Sequence, residues 1–397
     1  MKLNPAHAIF DGNMFVQLRA ILDPIPPHPS LPLLDMSIGE PQVPPCQLLL
    51  DSVARHNAGW QFYPKATGNA RFTAAVQHYI DRRWPDASQL ADDSQIIPVP
   101  GTREPLHLLG QLVAGTKTDA VALVTNPFYH AWRAGALASG ADIQFLNSGV
   151  NHNFLPDLAA IDDDVLARTT ILYLCSPTNP HGSVMDLAYL KTVLRLARQH
   201  DFLVVMDECY SDIWRHTPPP GMIEAAAALA ADAPGQDPLC NLVVLNSLSK
   251  RSGVAGLRAG FMVGDRTVIT QYLKIVANGG GLVPTPLLEV AADLYDDDDH
   301  VAAIRSYYNA NFEVAATHLQ ITPPEGGFFL WLKVDDDVDF VRQLMAEQAV
   351  RALPGSFMAT PVDACNPGVG YVRLALVHDL ASTDMAMRRI AKTYGAQ

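Results

Sequence analysis

Positive charge is what this chain has least of. Lys and Arg number 28 against 41 Asp and Glu, a formal net charge of −13. A surface of that sign repels polyanions, which argues against nucleic acid or an anionic membrane face as a partner. Cysteine is sparse: Cys46, Cys175, Cys209, Cys240 and Cys365 are scattered, odd in number and without a C-x-x-C pair. They offer neither a disulfide framework nor a zinc site, no metal is expected, and a reducing, cytoplasmic setting fits. No apolar run reaches membrane-spanning length, and Met1-Lys2-Leu3-Asn4-Pro5-Ala6 has no apolar signal core. No G-x-G-x-x-G follows the first strand-like segment, which leaves a nicotinamide-binding Rossmann protein without its main support. Internal repeats and low-complexity tracts are absent. The acidic runs at residues 162–164, 296–299 and 335–337 lack calcium-loop spacing and read as solvated ends of helices or loops.

What is present is a large apolar fraction, 49% of 397 residues, enough for two domains with a sizeable core. Eight prolines between residues 24 and 45 predict that the first 45 residues form an extended arm with one short helix near residues 15–22. Apolar strand-like segments then recur at residues 121–125, 171–175, 203–206, 242–245 and 260–263. Between two of them, Leu187, Leu190, Val193, Leu194 and Ala197 share one face of a helix over residues 186–200, with Asp186 as its N-cap. This alternation predicts an α/β fold with a mainly parallel sheet between helices, and ligands sit beyond the carboxyl ends of such strands. Gly279-Gly280-Gly281 and the prolines at 284 and 286 mark an exit from the large domain. The expected division is residues 46–283 as the large domain, with residues 1–45 and 284–397 forming a smaller α+β domain. Strand-like segments at residues 326–334 and 370–377 belong to the smaller one.

Chemistry concentrates in Asn246-Ser247-Leu248-Ser249-Lys250-Arg251-Ser252, which follows an apolar strand and is followed by Arg258. Burial at a strand end disfavours the charged ammonium, and a neutral lysine can form a Schiff base with an aldehyde. The neighbouring hydroxyls and the arginine suit a phosphate, and an aldehyde bearing a phosphate is pyridoxal phosphate. Three further segments also sit at strand or helix ends. Gly101-Thr102-Arg103 precedes a helix and can offer backbone amides to a phosphate. Ser176-Pro177-Thr178-Asn179 brings an amide donor, and Asp207 emerges from a strand three residues before Tyr210. Each alone reads equally as a turn or a helix cap.

Together these segments resemble the fold-type I, class I and II aminotransferases, the aspartate aminotransferase superfamily, from Ile38-Gly39-Glu40-Pro41 to Tyr371-Val372-Arg373-Leu374. The resemblance implies a seven-stranded sheet in the large domain and pyridoxal 5′-phosphate as cofactor. It implies that Lys250 bonds covalently to the cofactor, that Asp207 pairs with the pyridinium nitrogen, and that Asn179 and Tyr210 bond the phenolic oxygen. Ser247, Ser249, Arg258, Thr102 and the amides of Gly101–Arg103 would hold the phosphate, with Trp132 stacked on the ring. Arg373 would grip a substrate α-carboxylate, with Gly39 opposite. Tyr63 would reach the phosphate of a neighbouring subunit, which implies a homodimer with shared sites.

Within the family, the runs Asn126-Pro127-Phe128-Tyr129, Ser247 to Arg258 and Pro324-Glu325-Gly326-Gly327-Phe328-Phe329 resemble bacterial N-succinyldiaminopimelate aminotransferases of lysine biosynthesis. That implies N-succinyl-LL-2,6-diaminopimelate and 2-oxoglutarate as substrates. Both carry a carboxylate far from the reacting carbon, for which Arg103, Arg251 and Arg19 are candidate partners. Transamination of aspartate or aromatic amino acids, β-elimination at a C–S bond, and a non-catalytic regulatory module remain alternatives. The regulatory modules of this fold need an attached DNA-binding domain.

Overall fold

Side chains in the strand Leu242–Ser247 alternate between two apolar layers: Leu242 and Val244 face one, Val243 and Leu245 the other. Leu203–Asp207, Thr169–Cys175 and Val121–Asn126 alternate in the same way. Strands buried on both faces need helices on both faces, and that is what the computed structural model shows. It describes Met1, residues 13–232 and residues 235–395. The stretch from Lys2 to Ala6, read above for a signal core, lies outside the described residues. No described helix is long and apolar enough to cross a membrane.

The main sheet has seven strands, in the spatial order Ile96–Val99, Gly260–Gly264, Leu242–Ser247, Leu203–Asp207, Thr169–Cys175, Val121–Asn126 and Asp142–Asn147. Only Gly260–Gly264 runs against the others, since it pairs antiparallel with both neighbours. Two strands escaped the sequence reading, and both are edges. Ile96–Val99 is four residues long and contains Pro98, tolerated where only one side needs ladder bonds. Asp142–Asn147 is half exposed and so lacks a fully apolar run.

The expected helix forms over Leu187–His200, capped by Asp186, whose carboxylate accepts from the Tyr189 amide at 2.7 Å. The short helix near the N-terminus forms over Met14–Leu22. A second apolar cluster surrounds the three-stranded antiparallel sheet in which Tyr371–Ala375 lies between Leu353–Pro354 and Phe329–Lys333. Leu18 and Leu22 pack into that cluster. The helix Asp299–Leu319 joins the two cores: Ile304 and Tyr308 pack against the large sheet, and Phe312, Ala315 and Leu319 pack in the smaller core.

Thr285–Asp296 falls beyond the exit expected at residue 283. Its Leu288, Val290, Leu294 and Tyr295 nevertheless pack with Phe72 and Tyr79 on the large sheet. This packing favours a boundary after Asp296. The acidic runs also hold more than solvated ends, because several of their carboxylates complete other interactions. Asp298 pairs with the buried Arg251 at 3.1 Å, and buried Asp337 accepts from the Ser356 amide at 2.9 Å.

Candidate active site

Six of the seven strands end on the same edge of the sheet, and the segments singled out above follow those ends. The reversed strand contributes too. Because Gly260–Gly264 runs the other way, its beginning lies on that edge, and Arg258, two residues earlier, arrives beside Ser249. One cavity of ≈ 350 Å³ opens there. Thr102, Arg103, Trp132, Asn179, Asp207, Tyr210, Ser247, Ser249, Lys250, Arg258, Gly39 and Arg373 all line it. Gly101 lies directly behind Arg258. Tyr63 does not reach the cavity of its own chain and is 99% exposed.

Lys250 sits in a four-residue helical turn, Leu248–Arg251, that starts where the central strand ends. Ser247 caps the turn by accepting from the Ser249 amide, and buried Leu248 anchors it. Lys250 Nζ donates to the Gly39 carbonyl at 2.6 Å. Burial lowers its pKa to about 8, and the Arg373 charge acts in the same direction. Arg251 points away from the cavity. It lies between the rings of Tyr79 and Tyr295, donates to the Leu294 carbonyl at 2.7 Å, and pairs with Asp212 and Asp298. It therefore cannot serve a substrate, contrary to the expectation. Arg19 is exposed on the N-terminal helix and does not line the cavity either. Arg103 is the one of the three that does.

Asp207 is 2% exposed, and burial raises its pKa to about 6. It accepts from the Cys209 amide at 3.3 Å and has no cation within ion-pair distance among the described residues. Arg373 shows the reverse imbalance. Val372 and Leu374 turn into the smaller core, which aims Arg373 at the cavity. Its Nη1 donates to Asn179 Oδ1 at 3.2 Å and its Nη2 to the Ser37 carbonyl at 2.8 Å. Its buried Nε has no partner, and no carboxylate lies within ion-pair distance among the described residues. Burial lowers its pKa to about 10. Bound to Arg373 through Oδ1, Asn179 keeps its amide nitrogen to donate. Tyr210 stands edge-on to Phe328 and Phe329, and burial pushes its phenol well above the usual value.

At the other end, Arg258 Nη2 donates to the Pro100 carbonyl at 2.7 Å and Nη1 to the Ala255 carbonyl at 2.9 Å. Ser247 Oγ donates to Ser249 Oγ at 2.9 Å. Gly101 has φ +77°, and a Cβ there would come within 2.5 Å of Arg258 Nη2. Only glycine fits. The helix Arg103–Leu112 begins beside it, so its first amides face the same space as the guanidinium and the hydroxyls. This is the donor set of a phosphate cradle.

The profile of the aminotransferase class I and II family matches residues 32–390. The chain belongs to this family. An aminotransferase of Neisseria meningitidis is 32% identical, with a TM-score of 0.89 over 97% of this chain and 98% of that one. The aminotransferase AspB of Helicobacter pylori is 27% identical, also with a TM-score of 0.89, over the whole of both chains. Among curated relatives, an LL-diaminopimelate aminotransferase of Nitratidesulfovibrio vulgaris (strain DP4) is 26% identical over 91% of each chain.

The cofactor of this aminotransferase is pyridoxal 5′-phosphate, as in its family. The residues present fit that group. A buried carboxylate without a cation suits a protonated ring nitrogen, the cradle around Gly101 suits a phosphate, and a lysine of lowered pKa lies between them.

The aminotransferase cavity also has walls that the sequence reading left out. Met14 and Phe15 come from the N-terminal helix, and Glu40, Tyr129, His130, Cys175, Cys209, Phe329 and Met358 also line it. Cys209 was within reach of sequence reasoning, because it lies two residues past Asp207, in the turn whose amide bonds back to that carboxylate. Met358 was not. It arrives with a loop clamped by Asn126, whose side chain donates to the Thr360 carbonyl at 2.7 Å and accepts from the Thr360 amide at 3.0 Å.

Proposed function

We propose that this aminotransferase moves amino groups between N-succinyl-LL-2,6-diaminopimelate and 2-oxoglutarate, a step of lysine biosynthesis. The observation that carries the reading is Arg103. Its Nε donates to Tyr129 Oη at 3.1 Å, its terminal nitrogens have no partner among the described residues, and the residue lines the cavity. Arg373 takes the α-carboxylate, so a second free guanidinium is suited to substrates with a distant second carboxylate, which both proposed partners carry. Lys250, Arg258, Arg373 and Arg103 outnumber Asp207 and Glu40 around the cavity, a local positive field in a chain of negative net charge.

Pyridoxal phosphate supplies the carbonyl carbon that exchanges amino groups and a ring that accepts negative charge from the substrate's α-carbon. The chain does the rest. Asp207 holds a proton on the ring nitrogen, and Asn179 and Tyr210 bond the phenolic oxygen. Trp132 stacks on the ring. Ser247, Ser249, Arg258, Thr102 and the amides at residues 101–103 bind the phosphate. Gly39 closes on the substrate opposite Arg373. Lys250 would be the base that moves the α-proton. We further propose a cytoplasmic homodimer in which Tyr63 of each chain completes the other's phosphate site. The exposure of Trp60, Phe62 and Tyr63 beside one another supports that reading, and sedimentation at micromolar concentration tests it. A monomer would remove the shared site.

Glu40 lines the cavity as well and would suit a free distal ammonium. The unsuccinylated diaminopimelate named by the curated relatives is therefore the second reading. Half-reactions with glutamate, aspartate, phenylalanine, LL-diaminopimelate and its N-succinyl derivative separate these cases. Glutamate being inert, or phenylalanine being preferred, would defeat both readings. Release of ammonia and pyruvate without an acceptor would show elimination instead of transfer.

A further inference from the structure

A second cleft of ≈ 210 Å³, sharing no lining residue with the cofactor cavity, lies among Tyr79, Arg82, Arg83, Asp212, Trp214, Pro218, Asp298 and Arg305. Its walls come from the end of the helix Ala70–Arg83, the loop after the Asp207 strand, and the helix Asp299–Leu319. Four guanidiniums meet two carboxylates here. Arg82 pairs with Asp298 at 2.9 Å, and Arg251 below them pairs with Asp212 at 3.4 Å and with Asp298 at 3.1 Å. Both acids are thereby matched.

Arg83 and Arg305 are not. Arg83 Nη2 donates to the carbonyls of Ser211 (3.3 Å) and Pro219 (2.8 Å), and its buried Nε has no partner among the described residues. Arg305 lies over the Trp214 ring at 4.5 Å and has no hydrogen bond or ion pair among the described residues. The ring covers one side of the guanidinium, and no described group takes its N–H donors. Burial lowers the pKa of Arg305, and the charges of Arg83 and Arg251 act with it, against Asp212 and Asp298. Two unmatched, partly desolvated cations converging on one cleft are costly unless an anion joins them. That they occur in a chain of net charge −13 makes the concentration more specific.

We propose that this cleft binds a compact oxyanion, a phosphate or a small carboxylate, between Arg305 and Arg83. The site is independent of the substrate reading above. Binding would tie together three elements, one of which leaves the strand that carries Asp207. Tyr79 Oη already donates to Asp212 at 2.9 Å, and Trp214 bridges to Gly326, two residues before Phe328.

Calorimetric titration of the cofactor-loaded enzyme with inorganic phosphate, and separately with succinate, tests this at ionic strength matched by chloride. The expected result is one saturable site per chain for at least one of the two anions. Arg305→Gln should weaken it about tenfold or more, the loss of one charge-assisted contact, with transamination rate unchanged. Arg83→Lys should weaken it in the same direction. Saturation by only one anion identifies its source. An isotherm unaltered in both variants, or no saturable binding of either anion, overturns the proposal.

Discussion

Replacing Arg373 by lysine tests the substrate side of the site most directly. The guanidinium is 3% exposed, lies over the Phe329 ring at 4.4 Å, and spends one terminal nitrogen on Asn179 and the other on Ser37. Those two bonds set its plane, so its remaining N–H groups form a fixed fork. A lysine keeps the charge but has one nitrogen, and it cannot hold Asn179 and Ser37 while giving a carboxylate two parallel bonds. Losing one charge-assisted bond costs about 1.5–3 kcal/mol. At 1.4 kcal/mol per decade this is roughly a 10- to 150-fold rise in the dissociation constant. The measurement follows the visible absorbance of the bound cofactor as glutamate, and then 2-oxoglutarate, is added to the enzyme and to Arg373→Lys. Both substrates should weaken together, because both present an α-carboxylate, and the limiting rate should fall less because Lys250 is intact. An unchanged dissociation constant for either substrate would mean that the α-carboxylate docks elsewhere.

Borohydride reduction followed by peptide mapping should place the pyridoxyl label on Lys250. Lys250→Ala should bind cofactor yet lose transamination by several orders of magnitude, and label on another lysine refutes the assignment. In cofactor-stripped protein, burial lowers the Lys250 pKa from 10.5 to about 8, so the neutral amine is already populated near neutral pH. Uptake of pyridoxal phosphate should accelerate as pH rises, reach half its maximum near 8 and level off about a unit higher, and a rate still climbing at pH 10 contradicts this. The linkage has the same sign: the buried ammonium is unfavourable below about pH 8, so this group adds stability as pH rises from there towards 10.5. Gly101→Ala meets a left-handed φ, worth roughly 1–2 kcal/mol, and displaces Arg258 from Pro100. Equilibrium dialysis should show cofactor affinity falling about tenfold or more for that loss, and unaltered affinity would show that the cradle lies elsewhere.

Local sequence was enough for the elements whose cause is local. The alternation within Leu242–Ser247 and Leu203–Asp207 wrote a sheet buried on both faces, and the face of Leu190, Val193, Leu194 and Ala197 behind Asp186 wrote its helix. The segments that line the cavity were legible for a related reason: most lie at or just past a strand end, and Arg258 lies just before the reversed strand, so chain order and cavity geometry coincide. Edge strands were not legible, because an element paired on one side and half exposed carries no clean period. Lys250 and Arg251 are neighbours of the same charge class, and only the turn Leu248–Arg251 decides that one faces the cavity and the other the Tyr79–Tyr295 layer. Likewise, nothing near Arg83, Asp212 or Arg305 in the chain announces a cleft. Three elements must first pack before their charges can be counted against one another. Sequence by itself determined the five inner strands of the sheet, the family and the cofactor chemistry, because those follow from periodicity and from motifs at strand ends. Tertiary structure alone decided which charges remain unmatched, because that is a sum over contacts between residues distant in the chain.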